Sequence, residues 1–299
     1  MAEVEQGMIG PMVFMGLLMV VVELLALFLG APLDAAGIHA FEDPDAPENS
    51  VYYLGLILVF TLFILIVIKL NAKWLIQLII LGAVASTICY VLYPLLLGLT
   101  SFEMALIVSI VIALFITIIL HVFPEWYVIN VVGIIVGAGA AAIFGISLSI
   151  IPVILLLVLL AVYDAIAVYR TKHMITLAEG VMDLRLPILF IVPKHRNYSF
   201  RSETFEKEER DAFFMGLGDA VMPAILVASA YFFTGSLTPA ITTIIGSLLG
   251  FAALMSFVLK GKPQAGLPFL NTGAVIGYVA GALIAGIPVL GGVMPGVSI

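Results

Sequence analysis

The stretch Phe213-Phe-Met-Gly-Leu-Gly-Asp-Ala-Val-Met-Pro223 opens an apolar run long enough to cross a bilayer, yet it carries a carboxylate, Asp219. An ionised Asp near the bilayer centre costs about 2.5–3.5 kcal/mol on insertion scales. Composition decides that the run is membrane rather than core. The 299 residues are 63% hydrophobic and 10% charged, whereas a soluble domain carries about 25% charged residues. The chain is therefore read as a polytopic membrane protein with the lipid bilayer as its first partner. The net charge of −7 arises largely in loops and gives no basis for a nucleic-acid partner. A single cysteine, Cys89, inside an apolar run excludes an intrachain disulfide. Glu3 and Glu5, with no Lys or Arg before the first apolar stretch, lack the basic region of a secretory signal. That stretch is expected to be a retained span.

About 20 apolar residues cross the hydrocarbon core as a helix. Nine candidates follow: 8–30, 51–70, 74–98, 103–121, 127–145, 148–169, 212–234, 237–259 and 267–290. These runs are too long for barrel strands and do not alternate, so the expected fold is all-α with nine transmembrane helices.

Charge orients them. The twelve Lys and Arg residues fall in three places. Lys69 and Lys73 lie between spans two and three. Arg170, Lys172, Arg185, Lys194, Arg196, Arg201, Lys207 and Arg210 lie between six and seven. Lys260 and Lys262 lie between eight and nine. All three are even-numbered loops, on the side of the N-terminus. The positive-inside rule predicts a cytoplasmic N-terminus and an external C-terminus. The acidic loop 31–50, with Asp34, Glu42, Asp43, Asp45 and Glu48, is then external.

The long connection 171–211 reads in parts. Met174, Leu177, Ala178 and Val181 recur at helical spacing beside Lys172, His173, Glu179 and Asp183, which predicts a short amphipathic helix on the inner surface. Leu186-Pro-Ile-Leu-Phe-Ile-Val-Pro193 is apolar and too short to span. It reads equally as an interfacial loop or as a strand that offers its backbone to an unwound peptide by β-addition.

Of seven Asp residues, only Asp164 and Asp219 lie well inside spans. Asp164 is six residues before Arg170, about 9 Å from the inner end at helical rise, and Asp219 is eight residues after Asp211, about 12 Å. Spans six and seven run in opposite directions, so the two acids lie at similar depth. If they meet, they share one proton and titrate as a pair. One carboxylate can then take a proton from water while the protonated one donates to a peptide carbonyl. Gly216 and Gly218 are expected to let another backbone approach, and Pro223 withholds the N–H that would bond the carbonyl of residue 219. Tyr163 brings a hydroxyl beside Asp164.

Tyr163-Asp164 followed by Gly216-Leu217-Gly218-Asp219 resembles the YD and GxGD motifs of the presenilin and signal peptide peptidase family of intramembrane aspartyl proteases. In a chain of this composition about 0.06 GxGD matches arise by chance, so the placement on spans six and seven carries the resemblance more than the motif does. The resemblance implies that Asp164 and Asp219 are catalytic. It also implies a third segment opening span nine. The family's Pro-Ala-Leu-Pro reads here Ala265-Gly266-Leu267-Pro268, with Leu and the last Pro kept and the first two residues changed. The resemblance covers the whole chain and is closest to a compact prokaryotic presenilin homologue in a cell membrane. It divides the chain into 1–170 (spans one to six, first Asp), 171–211 (cytoplasmic loop) and 212–299 (spans seven to nine). The implied activity is hydrolysis of peptide bonds within transmembrane helices of single-pass proteins, without metal or organic cofactor. The presenilin-like orientation implies substrates whose N-terminus is outside. A homo-oligomer is left open.

Other polar residues have simpler readings. Glu23 in span one is expected to pair with a polar group or reach headgroups rather than form a gate. His121 and Glu125 sit at a span edge, and the four His residues show no metal-ligand spacing. Gly133 and Gly137 suggest helix packing. The basic segment 194–210 suits headgroup contact. The rival function is a proton- or cation-coupled transporter or channel using the same Asp pair. An inverted repeat would favour it, and none is evident.

Overall fold

The computed structural model describes residues 2–70, 72–171, 189–195, 198–202, 211–259 and 264–290. The expected amphipathic helix at 172–183 falls outside them. Among the described residues nine helices are long and apolar enough to cross a membrane. They are α1 (Ala2–Ala35), α2 (Glu48–Lys69), α3 (Lys73–Leu97), α4 (Phe102–Val122), α5 (Trp126–Ser147), α6 (Ile150–Ile166), α7 (Leu217–Thr234), α8 (Leu237–Val258) and α9 (Leu267–Ala285).

Burial separates centre from rim. In α5 and α7, 61% of the most apolar window is buried, against 11% in α2. The core joins Met19, Val22 and Ala26 of α1, Ala138 and Ala142 of α5, Leu156 and Leu160 of α6, and Ala224 and Ile225 of α7. Lipid offers no hydrophobic force between helices, so close packing and polar bonds must join them. Both are present. A Cβ on Gly246, Gly250, Gly273 or Gly277 would strike the backbone of the facing helix, so α8 and α9 pack backbone to backbone. Asn271 of α9 donates to the Leu157 carbonyl at 2.8 Å, Ser50 of α2 to Pro152 at 2.6 Å and Ser229 of α7 to Leu148 at 2.8 Å.

The ends of the bundle sort as the loop parity requires. Ala40 N–H donates to Ser147 Oγ at 2.7 Å and Ser149 N–H to the Pro44 carbonyl at 2.9 Å, joining the first odd loop to the α5–α6 connection. At the other end Glu125 accepts from Ser199 Oγ at 2.7 Å and from Phe200 N–H at 3.2 Å. Glu125 is thus a buried anchor for the loop after α6, not merely an interfacial group.

Span seven departs from expectation. The run 212–234 is not one helix. Ala212–Gly216 is a strand, β2, and the helix begins at Leu217. Its partner β1 (Leu189–Pro193) pairs antiparallel, with Leu189 opposite Gly216 and Pro193 opposite Ala212. Phe and Met before two glycines favour extended backbone over helix, and Phe190, Ile191 and Val192 supply a β-prone partner. The apolar segment at 189–193 is therefore a strand rather than an interfacial loop.

Candidate active site

Three helix ends meet at the two acids. Asp164 lies in the last α-helical turn of α6, buried at 6% exposure. A π-helical turn, Ala167–Thr171, follows it. Asp219 lies in the first turn of α7, half-buried, at the third helical position. The intervening strand puts it farther from Asp211 than helical rise would, because a strand advances about 3.3 Å per residue.

Asp219 answers the question of its own cost in part. Gly216 is the N-cap of α7, with extended backbone at φ −60° and ψ 137°. The Asp219 carboxylate turns back to the Gly216 backbone amide, the return half of a capping box. Asp164 uses a different helix. Its Oδ2 accepts from Leu267 N–H at 3.1 Å, at the first turn of α9, and the amide of Gly266 lies beside it. Unpaired N–H groups and the positive end of the dipole make each helix start a place for negative charge. Such an end contributes about 0.3–1 kcal/mol, and up to about 2 when partly buried. That is less than the insertion cost of one ionised Asp, so neither helix end by itself offsets the charge it faces.

The acids converge on Gly266-Leu267. Asp164 is near enough to Asp219 for the two carboxyl groups to interact electrostatically. A Cβ built on Gly266 would lie 2.9 Å from Asp219 Oδ1 and 3.1 Å from its Cγ. Gly266 caps α9, its carbonyl accepting from Phe269 and Leu270 N–H at 3.1 and 3.2 Å. Pro268 takes the second helical position, where a missing N–H costs no helix bond. Ala265 is fully buried and its N–H donates to Tyr169 Oη at 3.3 Å.

The remaining expected residues divide. Tyr163 is half-buried on the same turn as Asp164. Leu217 points away from the acids, its Cδ1 3.1 Å from a Cβ built on Gly137 and 3.7 Å from one on Gly133. A neighbouring backbone does lie beside Gly216, where Leu189 of β1 pairs opposite it. Gly216 faces Asp219 itself, and among the described residues nothing lies within 4 Å of a Cβ on Gly218.

Two polar residues were not singled out from sequence. Tyr169 donates to Gln264 Oε1 at 2.8 Å and so ties the π turn after Asp164 to the segment before α9. Asn130 of α5 bonds β1 at both ends of its amide. An Asn within an apolar span was the available signal, since a buried amide must find partners. Gly133 leaves room for the Phe190 ring of β1, and Gly137 packs toward Leu217 and Val221 of α7. The spacing thus serves a strand and a helix together. Among the described residues no three His, Cys, Asp or Glu side chains group as metal ligands.

The family model described as signal-peptide peptidase, presenilin aspartyl protease matches residues 15–287. Two solved structures, both of a presenilin family intramembrane aspartate protease, are similar. The one in space group C222 is 36% identical with a TM-score of 0.67, covering 92% of this chain and 98% of that one. The one in space group P2 is 39% identical with a TM-score of 0.66, covering 90% and 96%. No curated protein matches the sequence significantly. The transporter alternative gains no support from these matches. With nine apolar spans and this likeness over nearly its whole length, the chain is a multi-pass membrane protease and belongs to the presenilin and signal-peptide peptidase family of intramembrane aspartyl proteases.

Proposed function

We propose that Asp164 and Asp219 form the catalytic dyad and hydrolyse peptide bonds within the transmembrane helices of single-pass proteins. The observation that carries this reading is the convergence of both carboxylates on Gly266-Leu267 at the start of α9. One carboxylate takes a proton as water attacks the carbonyl carbon, and the protonated partner donates to the carbonyl oxygen. The tetrahedral species collapses when the amide nitrogen receives a proton and the C–N bond breaks, leaving a carboxylate and an amine. Neither role belongs to one Asp, because the pair titrates as a unit.

A helix must unwind to present a peptide bond, and its freed N–H and C=O groups need partners. Sheet edges supply them. The pairing parity favours β2 over β1 as the receiving edge. Lys194 N–H donates to Asp211 O at 2.9 Å, which places Leu189, Ile191 and Pro193 with their backbone groups directed away from β2. At Ile191 those groups are held by Asn130, and Pro193 has no N–H. The substrate therefore adds to β2, immediately before Asp219. The charge pattern supports a cytoplasmic N-terminus for the protease, an orientation that fits substrates whose helix enters with its N-terminus outside.

The test is cleavage of a tagged single-pass helix by purified protein in lipid, with mass spectrometry of products. Cuts inside the apolar segment that vanish in Asp164→Ala and Asp219→Ala support the dyad. Folded wild-type protein that cuts none of several helices, or cuts equally well without either Asp, overturns it.

A further inference from the structure

Asn130 sits in the second turn of α5 at 4% exposure. Its Nδ2 donates to the Ile191 carbonyl at 2.7 Å, and its Oδ1 accepts from Ile191 N–H at 2.8 Å. One side chain thus satisfies both backbone groups of one strand residue, as a neighbouring strand would. The orientation of the amide follows from this pairing, since each end has only one chemically complementary partner.

The grip belongs to a larger seat. Gly133 is three residues on, and a Cβ there would meet the Phe190 ring at 3.2 Å. Gly137 is seven on, and a Cβ there would meet Leu217 at 3.1 Å and Val221 at 3.3 Å. Spacings of three and seven share a helix face. One face of α5 therefore bears on β1, on the second residue of Gly216-Leu-Gly-Asp219, and on the next turn of α7. Among the described spans α5 and α7 are the most buried, so the seat lies in the protein interior.

We propose that Asn130 is a positioning residue of the protease. By holding Ile191 it closes the outer edge of β1, fixes the hairpin against α5, and so sets the register in which an unwound substrate segment lies on β2 beside the dyad. The register matters because a slip of one residue turns every side chain over and brings a different bond to the acids. This inference rests on the proposed proteolysis and adds to it a residue that selects the bond cut.

The test uses the full chain in lipid vesicles and compares wild type with two variants. Asn130→Leu keeps the branching at Cγ and removes both hydrogen bonds. Asn130→Asp keeps the acceptor and, when ionised, lacks the donor. Amide hydrogen exchange over 189–193 and 212–216 needs no substrate and reports on the hairpin alone. Mass spectrometry of the products reports the cut positions and their proportions. In Asn130→Leu, exchange at Ile191 is expected to rise about tenfold or more. Cuts should spread to neighbouring bonds while a hydroxyl-bearing transition-state analogue still binds. Asn130→Asp should fall between, and it carries the comparison alone if Asn130→Leu does not fold. Faster exchange with an unchanged cut pattern overturns the positioning role. Unchanged exchange overturns the grip itself. Wild-type protein that cuts no helix removes the proposed function and the positioning role together, whereas a failure confined to the variants leaves the proteolysis standing.

Discussion

Gly266 lies directly against the Asp219 carboxylate, with 2.9 Å between Oδ1 and the place a Cβ would occupy. The family's motif has Ala at this position, so the missing methyl is a property of this chain. In this arrangement the carboxylate fills that space. Gly266→Ala is expected to push Asp219 off its seat and lower kcat about tenfold or more, since displacement near 1 Å at a reacting group costs up to about 10²-fold. KM and thermal stability should change little, because the substituted atom touches an acid rather than the core. Single-turnover cleavage and a melting curve check this. An undiminished kcat would mean that the acid rearranges before reaction.

The two acids should fail as a unit. Asp164→Asn and Asp219→Asn each keep shape and remove the shared proton. Each is expected to reduce cleavage by at least about a hundredfold, and the double variant little further. Additive losses from the two single variants would argue for independent roles. The rates are measured on one helix substrate, with folding checked by size-exclusion chromatography.

Much of this was legible along the chain because of one strong signal. Runs of about 20 apolar residues have one viable form in lipid, so nine spans could be counted, and charge parity arranged their ends. Carboxylates are rare in such runs, so Asp164 and Asp219 stood out. The hairpin did not. Residues 212–216 are as apolar as the helix they precede, and what makes them a strand is pairing with 189–193, some 20 residues upstream in sequence. Hydrophobic periodicity is local and cannot register that partner. The same holds for Asn130 and Tyr169, whose partners are 61 and 95 residues away. The two helix starts that face the acids also depend on where helices begin, which sequence places only within a few residues.

Tyr169 is the tie between the acid on α6 and the segment that opens α9. Its hydroxyl donates to Gln264 and accepts from Ala265 N–H. Tyr169→Phe removes both bonds and keeps the ring. Net loss per bond is about 0.5–1.5 kcal/mol, and the ring is half exposed, so global stability should fall only slightly. Turnover should fall several-fold, because Gly266 and Leu267, the next residues, contact the acids. Parallel kinetics and melting curves separate the two effects. An equal, small effect on both would reduce Tyr169 to an ordinary surface contact.

Glu23 is a second buried acid outside the site, and its environment separates it from the dyad. It has 0% exposure in α1, and Ser247 Oγ of α8 donates to Oε1 at 2.6 Å. Oε2 has no hydrogen-bond partner among the described residues. Pairing with a polar group is the outcome the sequence favoured. A gate or ion site would need the charge of the carboxylate, whereas a helix tie needs only an acceptor for Ser247. Glu23→Gln keeps that acceptor and nearly the same volume. It is expected to leave cleavage within about twofold and stability within about 1 kcal/mol. Glu23→Ala removes the acceptor and leaves a void between α1 and α8, and should cost about 2–4 kcal/mol, as other buried truncations do. Abolished cleavage in a folded Glu23→Gln protein would show that the acid itself, and not the tie, is required.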